Sequence, residues 1–300
     1  MVASSHLSPA VGRTLMNLEN QVHQSKASPT SFYPLHHAAL MRVIVLSSGG
    51  KDSCYSVWWA LMKGWDVAGI VTINITGDDS MMFQVPATSI AGLQASSGGI
   101  PWLQIDVSGD ENTEITELES NLKQIIEGEN IPVPDQNWTK QEISTIFNYR
   151  LNLTEPIAKL VPKKNIDAIV TGALRSDYQK TRIEQMAQRL GVKSFCPLWH
   201  HNSVNHMRDL VHHGFELLFS SVSCDGLDQN WIGKTLDRNN LKELELLAKQ
   251  HRFSIDGEGG EFETTVLKSP WMNKKISING DTVWSGQRGH LLIRDVTFAE

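Results

Sequence analysis

The residues with the clearest capacity for chemistry form one string, Ser48-Gly49-Gly50-Lys51-Asp52-Ser53, set directly after the apolar run Arg42–Leu46. Two glycines let the backbone turn tightly and approach a ligand closely. A helix starting here presents unpaired N–H groups and the positive end of its dipole to an anion. One helix end contributes only about 0.3–1 kcal/mol against an exposed charge. A polyphosphate therefore needs several donors together, among them Ser48, Ser53 and the Lys51 ammonium. Asp52 is the acid among them, expected to meet a magnesium ion or to orient the loop. The spacing is neither GxxxxGK[ST] nor GxGxxG, so neither a Walker loop nor a dinucleotide loop is expected. A plain tight turn would also use Gly-Gly with Ser or Asp caps; the whole six-residue string after a buried strand says more than a bare Ser-Gly-Gly.

Two further strings carry polar groups at suggestive spacing. In Gly172-Ala173-Leu174-Arg175-Ser176-Asp177-Tyr178-Gln179-Lys180-Thr181-Arg182, Gly172 and Ala173 leave room beside a nucleotide. Tyr178 and Arg182 lie one helical turn apart on a shared face, and with Asp177 they are expected to bind substrate. In Gly257-Glu258-Gly259-Gly260-Glu261-Phe262-Glu263-Thr264, three carboxylates crowd around Gly259-Gly260. Like charges this close repel unless something positive sits among them: magnesium, ammonium or a cationic substrate. Glu261 and Glu263 are expected among the catalytic residues, beside Lys51 and Asp52, one of them binding the cation or incoming ammonium, with Glu258, Gly259, Gly260 and Glu261 lining the substrate.

Strands and helices that alternate position these strings. Arg42–Leu46 reads as a strand buried on both faces. Cys54–Lys63 reads as a helix ended by Gly64. Val67–Ile73, Trp102–Val107 and Ala168–Thr171 supply further strands, with polar helical segments over 111–127 and 139–161 and an inserted loop over Gly128–Trp138. This is an α/β pattern, a doubly wound parallel sheet, with the second string at the carboxyl end of a strand, where such sheets place ligands. Ser176 opens a helix with a capping-box pattern to Gln179 and a core face of Ile183, Met186, Ala187 and Leu190. A strand over Glu216–Ser220, a helix over Asn239–Gln250 and short antiparallel strands around Asn279-Gly280-Asp281 follow. Residues 41–174 are expected to form the nucleotide-binding domain, and 175–300 a smaller α+β domain closing over the sheet edge. Residues 1–40, rich in Ser, Thr, Pro and His, read as a disordered leader; a transit peptide would call for more arginine than Arg13 alone.

Bulk properties narrow the partners. The chain has 300 residues and a formal net charge of -6, which argues against a broad electrostatic grip on DNA or RNA. Three scattered cysteines, Cys54, Cys196 and Cys224, form no CxxC pair, so a reducing, cytoplasmic setting is expected. No apolar run reaches the roughly 18–20 residues of a membrane helix. The pairs His36-His37, His200-His201 and His212-His213 diverge in direction on helix or strand and read as surface positions.

The first string resembles the PP-loop of the ATP pyrophosphatases, with an adenine nucleotide alpha-hydrolase-like fold. That resemblance implies ATP as substrate, magnesium, and release of pyrophosphate with AMP left on an oxygen of the acceptor. Together with the other two strings, Gly233-Lys234-Thr235-Leu236-Asp237 and Cys196-Pro197-Leu198-Trp199, the chain resembles the diphthine–ammonia ligase family from about Met41 to its C-terminus. The resemblance implies adenylation of the diphthine carboxylate on translation elongation factor 2, followed by displacement of AMP by ammonia. Diphthine also carries a trimethylammonium group, which carboxylates and the faces of Phe262 or Tyr178 are suited to hold. One departure is Met81-Met82-Phe83-Gln84, where relatives often have a histidine at the position of Gln84. The nearest rival is another PP-loop enzyme, such as a sulfur-transferase acting on transfer RNA, which would draw on a Cys54 thiol activated at a helix start. A non-catalytic nucleotide sensor would need no acidic cluster.

Overall fold

Alternating apolar runs set the architecture of the part that the computed structural model describes, residues 40–76, 89–128, 137–162 and 165–299. In chain order the first half contains β1 (Arg42–Leu46), α1 (Lys51–Met62), β2 (Asp66–Ile75), α2 (Ile90–Gly98), β3 (Trp102–Val107), α3 (Glu114–Glu127), α4 (Lys140–Ile146), β4 (Arg150–Asn152), β5 (Ala168–Val170), α5 (Asp177–Arg189) and β6 (Lys193–Phe195). The second half contains α6 (Ser203–His212), β7 (Glu216–Val222), β8 (Thr235–Leu236), α7 (Arg238–His251), β9 (Phe262–Lys268), β10 (Ile276–Ser285) and β11 (Arg288–Phe298).

Five parallel strands form the first sheet in the order β3-β2-β1-β5-β6. The central strand shows why a continuous apolar run is needed. Val43 and Val45 join the core layer with α1 and α2, while Ile44 and Leu46 join the layer with α3 and α5. The sheet is therefore doubly wound, as the alternation of elements implies. The strand order reverses between β1 and β5, so the loops leaving their carboxyl ends lie side by side, the usual place for a ligand in such sheets.

The second sheet is mixed, in the order β10-β11-β7-β8, with β9 antiparallel to β7 and β4 parallel to β11. Leu217, Phe219, Phe262 and Val266 from this sheet belong to the same core layer as α1 and α2. Residues Leu40–Glu300 form one compact unit.

Several expected elements are corrected. The helical stretch 139–161 ends at Ile146; Thr139 and Glu142 do make a capping box, but Phe147 is extended and buried, β4 pairs with β11, and Pro156 disfavours helix in the residue before it. Asn279-Gly280-Asp281 is not the hairpin turn. It is a bulge within β10, where the register against β11 shifts, and the turn falls at Gly286-Gln287. The first helix starts at Lys51 rather than Cys54, so Lys51, Asp52 and Ser53 sit in its first turn. Residues 1–39, Gln84 and most of the Gly128–Trp138 loop lie outside the described residues.

Candidate active site

The loop after β1 is closed by short-range bonds. Ser47 Oγ donates to Ser53 Oγ at 3.0 Å, Ser53 Oγ donates to Gly50 O at 3.1 Å, and Gly49 N donates to Ser47 Oγ at 3.2 Å. Gly49 takes φ +81°, and a Cβ there would stand 3.2 Å from Gln94 Oε1, so both its conformation and its space require glycine. Gly50 is the N-cap of α1 and has no side chain to bond the first-turn amides; those donors are left for an anion. Ser48 is half-buried beside them. Behind the loop, buried Gln94 donates through Nε2 to Gly49 O (2.9 Å) and Val266 O (2.7 Å). Val266 N also donates to Gly49 O at 3.1 Å, so β9 and Gln94 together fix the loop from the side away from its open face.

Lys51 is nearly buried, 7% exposed, and its Nζ donates to Asp52 Oδ2 at 2.8 Å. Asp52 Oδ1 lies 2.7 Å from Nε2 of His206, a fully buried residue of α6. Burial pushes the Asp52 carboxyl up, but Lys51 and His206 outweigh it and hold its pKa below the usual value. With both oxygens engaged, Asp52 is not a free metal ligand. Among the described residues no group of three His, Cys, Asp or Glu side chains could hold a metal ion.

The second string sits beside this loop as expected from the sheet, though for a different reason. Gly172 does not leave room for a nucleotide; it admits the backbone of Asp52 and Ser53. Ala173 O accepts from the Cys196 thiol at 3.1 Å. Arg175 binds His201 O (3.1 Å), Ser203 Oγ (2.6 Å) and Asp256 Oδ2 (2.6 Å), while its backbone N donates to Glu258 Oε1 at 3.2 Å. One arginine thus ties the second string to the start of α6 and to the acidic loop. Asp177 is exposed in the first turn of α5, where its charge complements the helix dipole. Tyr178 and Arg182 do share a face: the guanidinium lies 4.3 Å from the ring centroid. Both reach Glu111, Tyr178 Oη donating to Oε1 at 2.9 Å and Arg182 Nη1 to the carbonyl at 2.7 Å.

The three glutamates of the third string divide. Glu261 accepts from Ser254 N and Gly259 N, each at 2.8 Å, and so braces its own loop. A Cβ on Gly259 would stand 2.8 Å from that carboxylate, which explains the glycine without a ligand. Glu258 accepts from Arg175 N instead, and the Lys51 charge acts on both Glu258 and Glu263. Burial raises the pKa of Glu258, the Asp52 charge raises it further, and Lys51 opposes. Burial likewise raises Glu263 against the pull of Lys51. Asp256, 0% exposed, is pushed up by burial, but Arg175 and Ser254 bring it down to about 2. Phe262 is buried against Phe219 (centroids 5.0 Å apart) and Arg182 covers Tyr178, so neither offers the open aromatic face anticipated for a cation.

Among these, His206, Gln94 and Asp256 carried no sequence signal that singled them out. His206 and Gln94 each interrupt an apolar helix face, at Met207–Leu210 and at Ile90–Leu93, and a lone polar residue in such a face is the trace they leave.

The family model described as Diphthamide synthase N-terminal domain matches residues 41–147 and 148–194, and that described as Diphthamide synthase C-terminal domain matches residues 202–298. The chain belongs to the diphthamide synthase family. It is 28% identical over 251 residues to a protein of Homo sapiens named diphthine--ammonia ligase, covering 81% of this chain and 85% of the human one. A Bos taurus protein of the same name is 29% identical over 251 residues, with 81% and 85% covered. A Schizosaccharomyces pombe protein of that name is 28% identical over 256 residues, 84% of this chain and 38% of the yeast protein. In family terms, the N-terminal match supplies Lys51, Asp52, Gln94 and Arg175, and the C-terminal match supplies His206, Asp256, Glu258 and Glu263. The site is built where the two matches meet.

Proposed function

We propose that the chain is an ATP-dependent carboxylate–ammonia ligase that amidates diphthine on translation elongation factor 2, forming diphthamide, AMP and pyrophosphate. The observation that carries this reading is the meeting of two opposite chemistries at one sheet edge. The first turn of α1 and Lys51 offer donors to a polyphosphate, and Glu258 and Glu263 lie within the electrostatic reach of that lysine.

In the first step a carboxylate oxygen of diphthine attacks the α-phosphorus of ATP, and the bond to the bridging oxygen of pyrophosphate breaks. Lys51 and the loop amides neutralise the charge that develops on the departing pyrophosphate. In the second step ammonia attacks the acyl carbon and AMP leaves. Ammonium is not a nucleophile until it loses a proton, and Glu258 or Glu263, each with a raised pKa, is suited to accept it. Asp177, Tyr178 and Arg182 form the flank that faces the acceptor. Magnesium enters with the triphosphate as part of the substrate. The setting is the cytoplasm, where the elongation factor acts; among the described residues no helix is long and apolar enough to cross a membrane.

Sulfur transfer to RNA is not favoured. Burial raises the pKa of all three thiols, Cys224 to about 11, and all three are free. Incubation with ATP, ammonium and elongation factor 2 bearing diphthine tests the proposal. The expected result is AMP together with the acid-to-amide mass change at one residue of the factor. AMP without that change points to another acceptor, and no AMP under any condition removes the enzyme reading.

A further inference from the structure

His206 is held where a histidine is costly. Its side chain is fully buried, and Nδ1 finds no hydrogen-bond partner among the described residues. An apolar side chain would avoid that desolvation, so packing alone does not account for the imidazole. What the imidazole contributes is Nε2, 2.7 Å from Asp52 Oδ1. A carboxylate can only accept, so the ring nitrogen that faces it, Nε2, is the donor of this contact. Asp52 in turn holds Lys51 Nζ through its other oxygen at 2.8 Å. We infer that His206 is a positioning residue for the polyphosphate site, acting through Asp52 to aim the Lys51 ammonium.

Geometry supports this in both directions along the chain of contacts. A carboxylate with one oxygen fixed by a rigid, buried ring cannot rotate to follow the lysine, so the lysine is constrained to it. The ring itself is fixed by its helix. Arg175 bonds Ser203 Oγ at 2.6 Å and His201 O at 3.1 Å, Asn202 caps α6 by accepting from Asn205 N at 3.0 Å, and Tyr55 meets the imidazole edge-on at 5.4 Å. The residue is thereby supplied from outside the loop, by the part of the chain that also carries the acidic residues. The inference rests on the reading of the β1 loop as a polyphosphate site, not on the identity of the acceptor.

Nucleotide binding to the full-length chain tests it, with ATP and AMP as paired probes because AMP lacks the β- and γ-phosphates. His206→Ala is expected to weaken ATP binding on the order of tenfold or more while AMP binding stays within about twofold. His206→Gln, whose Nε2 can still donate to Asp52, is expected to restore most of the loss. In a Lys51→Ala background, His206→Ala is expected to add less than about twofold, because the ammonium that His206 serves to aim is already gone. Equal losses for ATP and AMP, equal losses for Ala and Gln, or fully multiplying losses with Lys51→Ala would each overturn the inference, as would an Ala variant that binds ATP normally. If His206→Ala does not fold, His206→Asn, whose shorter amide does not reach Asp52, takes its place against His206→Gln. A wild-type chain that binds ATP but adenylates nothing removes the ligase reading and leaves this one standing; a chain that binds no ATP removes both.

Discussion

Gly172 lies directly against the backbone of Asp52: a Cβ at 172 would stand 2.7 Å from the Asp52 carbonyl carbon and 2.8 Å from Ser53 N. The two residues leave neighbouring strands, β5 and β1, at the point where the sheet order reverses. Because the obstructing atoms are main chain, no change of rotamer relieves the clash. Gly172→Ala is therefore expected to cost roughly 1–3 kcal/mol, the usual range for overpacking, read as a lower urea midpoint with an unchanged slope. It should also weaken ATP binding, since the displaced atoms belong to the first turn of α1. An alanine variant with wild-type stability and affinity would show that the two loops are not in this contact.

Asp256 makes stability depend on pH in the acid range. Its folded pKa is about 2 against an ordinary 3.8, with burial opposed by Arg175 and Ser254. A depressed carboxyl pKa contributes stability that is fully present above the unfolded value and is lost as pH falls through the folded one. The expected contribution is roughly 2 kcal/mol, absent by about pH 2. Urea titrations between neutral pH and that limit should show the Asp256→Asn variant less stable at neutral pH and flatter below about pH 4. A variant whose curve runs parallel to that of the wild type would remove Asp256 as the source.

The thiols give a simpler expectation. Cys54 is buried, its Sγ bonded to Gln94 Oε1 at 3.3 Å, and burial pushes its pKa far up despite its place in the first turn of α1. Desolvation outweighs the helix dipole here. Cys54 should resist iodoacetamide at neutral pH in the folded chain, and replacing Cys196 and Cys224 by serine, whose hydroxyl can still donate where the Cys196 thiol donates to Ala173 O, should leave amide formation within about threefold. Loss of activity on replacing Cys224 alone would revive thiol chemistry.

How much was legible in the sequence follows from the range of the interactions involved. The strand before Ser48, the core face Ile183-Met186-Ala187-Leu190 and the pairing of Tyr178 with Arg182 are local, periodic features, and periodicity carries them. The division of labour among Glu258, Glu261 and Glu263 is not periodic: it depends on Ser254 and Gly259 turning their amides toward Glu261. Likewise β6, only Lys193–Phe195, becomes a strand because β5 offers it an edge, and nothing in three residues announces that. His206 meets Asp52 across 154 positions of chain. Its partner is set by the docking of α6, which no spacing in one sequence reveals.

The three glutamates of Gly257–Thr264 therefore should respond differently to the same substitution. Glu261→Gln keeps an oxygen for one of its two amide donors, Ser254 N or Gly259 N, so turnover should remain within a few-fold of wild type. Glu261→Ala frees both amides and should lower stability by about 1–3 kcal/mol. Glu258→Gln and Glu263→Gln remove proton acceptors beside Lys51 and should slow amide formation by on the order of 10²-fold. Their effect on stability has the opposite sign. Both folded pKa values are raised, chiefly by burial, so the folded state loses stability as pH rises from the unfolded value through the folded one. Glutamine never ionises and escapes that loss. At pH 8 both glutamine variants are accordingly expected to melt higher than wild type while forming less product, a trade read by thermal melts alongside amide mass analysis. If Glu261→Gln stops turnover while Glu258→Gln and Glu263→Gln leave it intact, the chemistry belongs to Glu261 and the bracing bonds to Ser254 and Gly259 must open during the reaction.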